Sequence, residues 1–320
     1  MLSVLFLAGG LLLTLTSANW LVVGSSSIAK RFNVSDLAIG LTVVALGTST
    51  PELAINIFSA VEGSTDLAVG NVLGSNIANI LLILGISALI HPLHVTRNTT
   101  WKEIPLSFLA ALVLGIMAND NWLDPTFNGN FISRTDGMVL LCFLAIFLVY
   151  TFEIARSSAE PVEKVEVMPL WKCTGLTVAG VAGLFLGGKL LVDGAVEVSR
   201  MFGMSERVIG LTIVAIGTSL PELATSVVAA IKGKTDLAVG NVVGSNILNI
   251  FLVLGFTAMI RPLPFELPAM NHDLGLVILA SLLLFASTVL ISVKKISRWE
   301  GGVFLGLYVA YLVSLVFVRG

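Results

Sequence analysis

An all-α polytopic membrane protein, with ten transmembrane helices forming two inverted five-helix repeats, is the fold the sequence predicts, on three observations. Hydrophobic residues make up 56% of the 320 residues and charged residues 12%, and mean hydropathy is +0.97. An ordinary soluble domain is roughly one-quarter charged. Apolar runs near or above the ~20 residues that cross a bilayer recur along the chain. Finally, the chain repeats itself: Gly40-Leu-Thr-Val-Val-Ala-Leu-Gly-Thr-Ser-Thr-Pro-Glu52 returns as Gly210-Leu-Thr-Ile-Val-Ala-Ile-Gly-Thr-Ser-Leu-Pro-Glu222, and Asp66-Leu-Ala-Val-Gly-Asn-Val-Leu-Gly-Ser-Asn76 returns as Asp236-Leu-Ala-Val-Gly-Asn-Val-Val-Gly-Ser-Asn246. The offset is 222 − 52 = 170, and Asn76 and Asn246 share it. About two-thirds of the positions from Ile39 to Ile90 are identical in the second copy, without insertion.

The first predicted span, residues 2–28, lacks the basic stretch and small-residue cleavage site of a secretory signal, so it is expected to remain as a helix. The second, 36–60, carries Glu52 behind Pro51; the third, 66–90, carries the Gly-Asn-x-x-Gly-Ser-Asn motif. Trp101-Lys-Glu-Ile-Pro105 interrupts the start of the fourth, 103–118, which must be short or tilted. The fifth is 135–153, and residues 1–153 form the first repeat. Residues 154–171, of mixed charge and with two prolines, read as a short cytoplasmic linker. The second repeat, 172–320, follows with spans at 172–200, 206–230, 236–260, 272–292 and 300–318.

An odd number of spans per half makes the second copy enter the membrane from the opposite side. With both termini extracellular, twelve of the eighteen Lys and Arg fall in cytoplasmic loops and five outside, as the positive-inside rule asks. The turn inside each repeat reads Val61-Glu-Gly-Ser-Thr-Asp66 in one copy and Ile231-Lys-Gly-Lys-Thr-Asp236 in the other. One became acidic or neutral and its twin basic, as opposite membrane faces would select. The expectation is a multi-pass protein of the cell membrane.

Other classes find little support. A net charge of −2 does not suggest nucleic acid. Cys142 and Cys173 show no metal or redox spacing and read as packing residues. His91, His94 and His272 lie in loops near helix ends. The loop Asn119–Asn130 has acids and amides but no EF-hand spacing. No nucleophile and base pair, zinc motif or nucleotide loop points to an enzyme, and no cofactor or obligate protein partner is indicated.

Glu52 and Glu222 fall near the middle of the second and seventh spans, where a charged side chain costs at least about 2.5 kcal/mol. Lys189 is the basic residue well inside a span, and Asp193, four residues on, is its expected ion-pair mate. Bound cations are then the compensation expected for the two glutamates. Each Glu follows a Pro, which cannot donate to the carbonyl four residues back, so Pro51 and Pro221 free the carbonyls of Gly47 and Gly217. Broken helices at membrane depth are tolerated where they line a cavity or are buried in protein. Carboxylate, carbonyl, hydroxyl and amide oxygens without His or Cys suit a hard cation such as Ca²⁺ or Na⁺. In the second motif, small residues at i and i+4 allow close helix approach, and Ser75 and Asn79 share one helix face. Asn71, Asn76, Asn241 and Asn246 could serve as interhelical hydrogen-bonding groups or as ligands.

Gly-Thr-Ser-x-Pro-Glu followed by Gly-Asn-x-x-Gly-Ser-Asn, present twice, resembles the alpha repeats of prokaryotic-type sodium/calcium exchangers of the calcium/cation antiporter superfamily. The resemblance covers essentially the whole chain. It implies a core of the second, third, seventh and eighth helices, with the long first and sixth packed across it. It makes Glu52 and Glu222 shared ligands of Ca²⁺ and Na⁺, gives Thr48 and Thr218 backbone oxygens to the site, and assigns Ser49, Ser75, Ser219 and Ser245 to Na⁺. It also implies carbonyls from Ala45 and Ala215, with Asn79 and Asn249 completing the set. Some relatives, including potassium-dependent ones, carry Asp at the position of Asn249, which argues against potassium co-transport here. Thr50 opposite Leu220 breaks the repeat. The function so implied is electrogenic Na⁺/Ca²⁺ antiport by alternating access. H⁺/Ca²⁺ antiport and, from a different class, a cation channel are the alternatives.

Overall fold

Backbone amides inside a bilayer have no water to bond, so long apolar segments satisfy them internally as helices. The computed structural model follows that rule in the residues it describes, 2–63, 65–123, 129–157, 168–201, 215–265 and 269–318. In chain order its main helices are α1 (Leu2–Phe32), α2 (Asp36–Thr48), α3 (Thr50–Glu62), α4 (Leu67–Ile90), α5 (Thr99–Met117), α6 (Arg134–Ser157), α7 (Leu170–Met201), α8 (Ala215–Thr218), α9 (Leu220–Ile231), α10 (Thr235–Ile260), α11 (Met270–Ile291) and α12 (Arg298–Val318). Seven of them, α1, α4, α5, α6, α7, α10 and α11, are long and apolar enough to cross a membrane; the bent pair α2 and α3 makes an eighth. The chain is an all-helical integral membrane protein, with two short β pairs between helices. Most of the linker expected at 154–171 and the start of the span expected at 206–230 lie outside the described residues. At the place of the tenth expected span stands α12, 21 residues long.

Local chemistry sets the helix ends and bends. Ser35 caps α2, its Oγ accepting from the Ala38 amide at 3.2 Å. Pro51, which can stand only in a first turn without costing a hydrogen bond, opens α3, and α2 and α3 meet at 44°. The hinge residue Ser49 leaves helical geometry at φ −85°, ψ 5°, and Ser219, its counterpart 170 positions on, takes φ −87°, ψ 6° between α8 and α9.

Helices in lipid gain little from hydrophobic burial against one another and associate through close packing of small residues. α1 and α7 do this antiparallel along their lengths. A Cβ on Gly180 would lie 2.6 Å from the Leu21 amide nitrogen, and one on Gly187 would lie 2.8 Å from that of Thr14. Innermost are α10, whose span is 94% buried, and α4, at 78%, against 28% for α6. The broken helices α3 and α9 pack on this central pair.

The two sequence copies interlock. β1 (Leu93–His94) pairs antiparallel with β4 (Lys295–Ile296), and β2 (Phe131–Ile132) with β3 (Leu263–Pro264). Each pair joins one strand from each copy. Arg134 donates to the Ile260 carbonyl at 3.4 Å and Arg298 to that of Ile90 at 3.3 Å, a similar exchange of helix-end contacts whose acceptors are 260 − 90 = 170 apart and whose donors are 298 − 134 = 164 apart.

Candidate cation site at the paired helix breaks

The two breaks converge at the centre of the molecule. Glu52 and Glu222 stand in the first turns of α3 and α9, where helix dipoles favour negative charge, and are 0% and 1% exposed. Thr48, Ser49, Ser75, Asn79, Ser219, Ser245 and Asn249 are all buried around them, and Thr218 is half-buried.

Hydrogen bonds between the copies fix these groups in matched pairs. The Thr48 hydroxyl donates to Asn241 Oδ1 at 3.1 Å, and the Thr218 hydroxyl donates to Asn71 Oδ1 at 3.3 Å. Asn79 Nδ2 donates to Asn246 Oδ1 at 2.9 Å, and Asn249 Nδ2 to Asn76 Oδ1 at 3.1 Å. Each bond has its partner bond 170 positions away. Asn71, Asn76, Asn241 and Asn246 thus serve as interhelical links. Behind them, Asn71 donates to Asn56 Oδ1 at 3.3 Å and Asn241 to the Ser226 hydroxyl at 3.0 Å. Asn56 and Ser226 are equivalent positions on the buried faces of α3 and α9 that sequence reasoning did not single out; their polarity four residues after each Glu was the available signal.

This network leaves several oxygens unpaired, along with the Asn56 amide nitrogen. Because the amide nitrogens of Asn79 and Asn249 are spent across the interface, their Oδ1 atoms remain buried without a hydrogen-bond partner. Both Glu52 oxygens, Glu222 Oε2 and the hydroxyls of Ser75 and Ser219 share that condition. A buried polar atom without a partner costs about 1–3 kcal/mol, and a charged one more. So many unpaired oxygens, two of them on one carboxylate, form a donor set for a hard cation. The set is not evenly filled. Ser49 donates to Glu222 Oε1 at 3.0 Å, its Oγ lies 3.0 Å from Ser245 Oγ, and Ser245 lies 3.5 Å from the same Glu222 oxygen.

The alanine carbonyls differ between the copies. That of Ala45 accepts from the Ser49 amide at 2.9 Å and the Thr48 hydroxyl at 3.3 Å, whereas the Ser219 amide donates to Ile216 at 3.1 Å, leaving Ala215 aside. Thr50, which breaks the repeat, donates back across the bend to the Leu46 carbonyl of α2, 2.8 Å away on an exposed face. The expected Lys189 to Asp193 ion pair does not form. Both side chains are exposed on α7 and turn to a cavity. The π-helical turns at Ala78–Ile83 and Asn249–Leu254 also escape sequence reasoning. They carry Asn79 and Asn249 and re-aim those amides into the site.

Fold and site together define a polytopic membrane protein with a central, buried cluster of hard oxygen donors. Comparison with known proteins agrees. The family model described as "Sodium/calcium exchanger protein" matches residues 2–153 and 172–317, and the chain belongs to that family. It is similar to the putative antiporter CaxA of Alkalimonas amylolytica, at 39% identity with 97% of this chain and 98% of the other covered. To the sodium/calcium exchanger MaX1 of Methanosarcina acetivorans the identity is 32%, covering 98% of each. Among solved structures, the sodium-calcium exchanger NCX_Mj superposes with a TM-score of 0.85 at 35% identity, covering 98% of this chain and 99% of that one.

Proposed function

We propose that this protein is an antiporter that exchanges Na⁺ for Ca²⁺ at the paired helix breaks, with the two ions competing for the same oxygens. The observation that carries the reading is the pair of buried glutamates, 170 positions apart, among carboxylate, amide and hydroxyl oxygens that lack hydrogen-bond partners. Two carboxylates supply a charge of −2, which one Ca²⁺ or two Na⁺ neutralise. Kinship with sodium/calcium exchangers supports three Na⁺ moved against one Ca²⁺, so each cycle carries one net charge and responds to voltage by about 2.3 kcal/mol per 100 mV. Glu52, Glu222, Asn79 and Asn249 are the assigned Ca²⁺ ligands, with oxygens from Thr48 and Thr218 beside them. Ser49, Ser75, Ser219 and Ser245 serve Na⁺, and Ala45 and Ala215 border the set.

Ten helices in two inverted repeats, 1–153 and 172–320 joined by 154–171, in the cell membrane with both termini outside, complete the proposal. Matched contacts support it. Every described link between the copies at the helix ends joins segments assigned to the same side: β1 with β4 and Asp36 with Lys234 (2.7 Å) inside, β2 with β3 and Asn119 with Asn271 (2.8 Å) outside. Alternating access is assigned to α1 and α7, whose small-residue seam lets them slide as one unit across the core.

The test is ⁴⁵Ca²⁺ uptake into proteoliposomes loaded with Na⁺, with K⁺, or under an imposed pH gradient. Uptake driven by internal Na⁺ and abolished by Glu52→Gln or Glu222→Gln is the expected result. Uptake that ignores Na⁺ and follows the pH gradient would instead mean H⁺/Ca²⁺ antiport, and steady single-channel currents would mean a channel.

A further inference from the structure

A charged residue inside a membrane span that has no partner marks a route or a site more often than a packing solution. α7 carries three at successive turns, Lys189, Asp193 and Glu197, and none makes an ion pair or hydrogen bond among the described residues. Spacing of four residues sets them on one face, each ~6 Å beyond the last.

That face borders two cavities. The inner one, of about 240 Å³, is lined by Lys189 and Asp193 together with Pro51, Gly217, Thr218 and Pro221, the residues that frame both helix breaks. Its remaining lining among the described residues is apolar and includes Ile55, Leu184 and Phe185. The outer one, of about 530 Å³, is lined by Asp193, Glu197 and Arg200 with Phe6, Val192 and Val196. Asp193 borders both cavities. In an apolar vestibule a free carboxylate raises the local concentration of cations, because low-dielectric walls focus its field. A free ammonium one turn deeper does the reverse.

We propose that Asp193, with Glu197 one turn outward, is a cation relay between the outer cavity and the Thr218 to Pro221 break, and that Lys189 is a fixed positive charge that opposes arriving cations. The proposal rests on the exchanger reading and names the residues that govern entry to its site from the face where α7 ends. Asp193 acts on capture, ahead of binding at Glu52 and Glu222. Its removal therefore raises the half-saturating cation concentration on one membrane face and leaves the opposite face alone.

The experiment compares ⁴⁵Ca²⁺ flux in right-side-out and inside-out vesicles for wild type, Asp193→Asn, Asp193→Glu, Glu197→Gln and Lys189→Gln, each checked for a monodisperse peak on size exclusion. Asp193→Asn is expected to raise KM for Ca²⁺ roughly tenfold on the extracellular face, with a much smaller change in maximal rate, and Asp193→Glu to restore it. Lys189→Gln is expected to lower that KM. An unchanged KM in Asp193→Asn, or equal losses of maximal rate on both faces, would overturn the relay. A second readout is independent of exchange. In a Cys142→Ala background, Asp193→Cys is expected to react in intact vesicles with a positively charged methanethiosulfonate from the extracellular face alone. Failure to react from that face would also overturn the relay. A wild type that moves no Ca²⁺ against Na⁺ would sink the exchanger reading, and the labelling would still decide the route.

Discussion

The Ser49 hydroxyl donates to Glu222 Oε1 at 3.0 Å, across 173 residues, while its counterpart Ser219 is buried without a partner. Each half of the chain therefore supplies part of the other half's site, and the two sides are unequal. Ser49→Ala removes a bond to a carboxylate, worth about 1.5–3 kcal/mol, and should lower the melting temperature of ion-free protein. Ser219→Ala removes a hydroxyl that bonds nothing and should leave that temperature nearly unchanged. Both should weaken Na⁺ competition with ⁴⁵Ca²⁺. Equal melting shifts in the two variants would contradict the asymmetry.

Asn249 holds Asn76 with its nitrogen and leaves its oxygen to the site. Asn249→Ala strands Asn76 Oδ1 in a buried place, at a cost of about 1–3 kcal/mol, and also takes an oxygen from the ion. Thermal melts should therefore show lower stability both without ions and in saturating Ca²⁺, with a smaller Ca²⁺-induced stabilisation than in wild type. An undiminished Ca²⁺ shift would remove Asn249 from the ligand set.

Along the seam between α1 and α7, Gly180→Val would drive two methyl groups into the backbone at Leu21. Overpacking of this kind costs about 1–3 kcal/mol. Exchange rate is expected to fall severalfold while Ca²⁺ binding at equilibrium is retained, because the seam does not include the carboxylates. Loss of binding in a folded variant would argue against separate moving and binding parts.

Thr50→Leu makes the first repeat match the second at this position. Since the Thr50 hydroxyl bonds the Leu46 carbonyl across the bend on an exposed face, stability should change by no more than about 1 kcal/mol and Na⁺-driven ⁴⁵Ca²⁺ uptake by less than a factor of two. A larger loss would give this position a role that its contacts do not suggest.

Charge movement is a direct prediction of the stoichiometry. In Na⁺-loaded proteoliposomes, a potassium diffusion potential set by valinomycin should speed or slow Ca²⁺ uptake according to its sign. Indifference to the potential would require an electroneutral exchange of two Na⁺ for one Ca²⁺.

Much of this architecture is legible from residues alone. Length and hydropathy dictate helices because a bilayer leaves apolar segments no other way to satisfy their amides. The 170-residue repeat marks Thr48, Ser49 and Glu52 and their twins Thr218, Ser219 and Glu222, because Pro behind a break and Glu in a span are costly unless used. Spacing also predicted that Lys189 would pair with Asp193, and there it failed. A helix can bring two side chains to one face, but only their surroundings decide whether they meet.

What the sequence by itself determined is the chemistry of the site: two carboxylates, neutral oxygens, no soft ligand, all at membrane depth. What only the tertiary structure decided is which atoms remain free. Asn79 and Asn249 offer oxygens because Asn246 and Asn76 on the opposite copy claim their nitrogens. The Glu52 oxygens are bare while Glu222 is partly engaged. Hydrogen-bond directions across an interface between distant segments depend on distances of a few tenths of an ångström, and no local pattern in the chain encodes them.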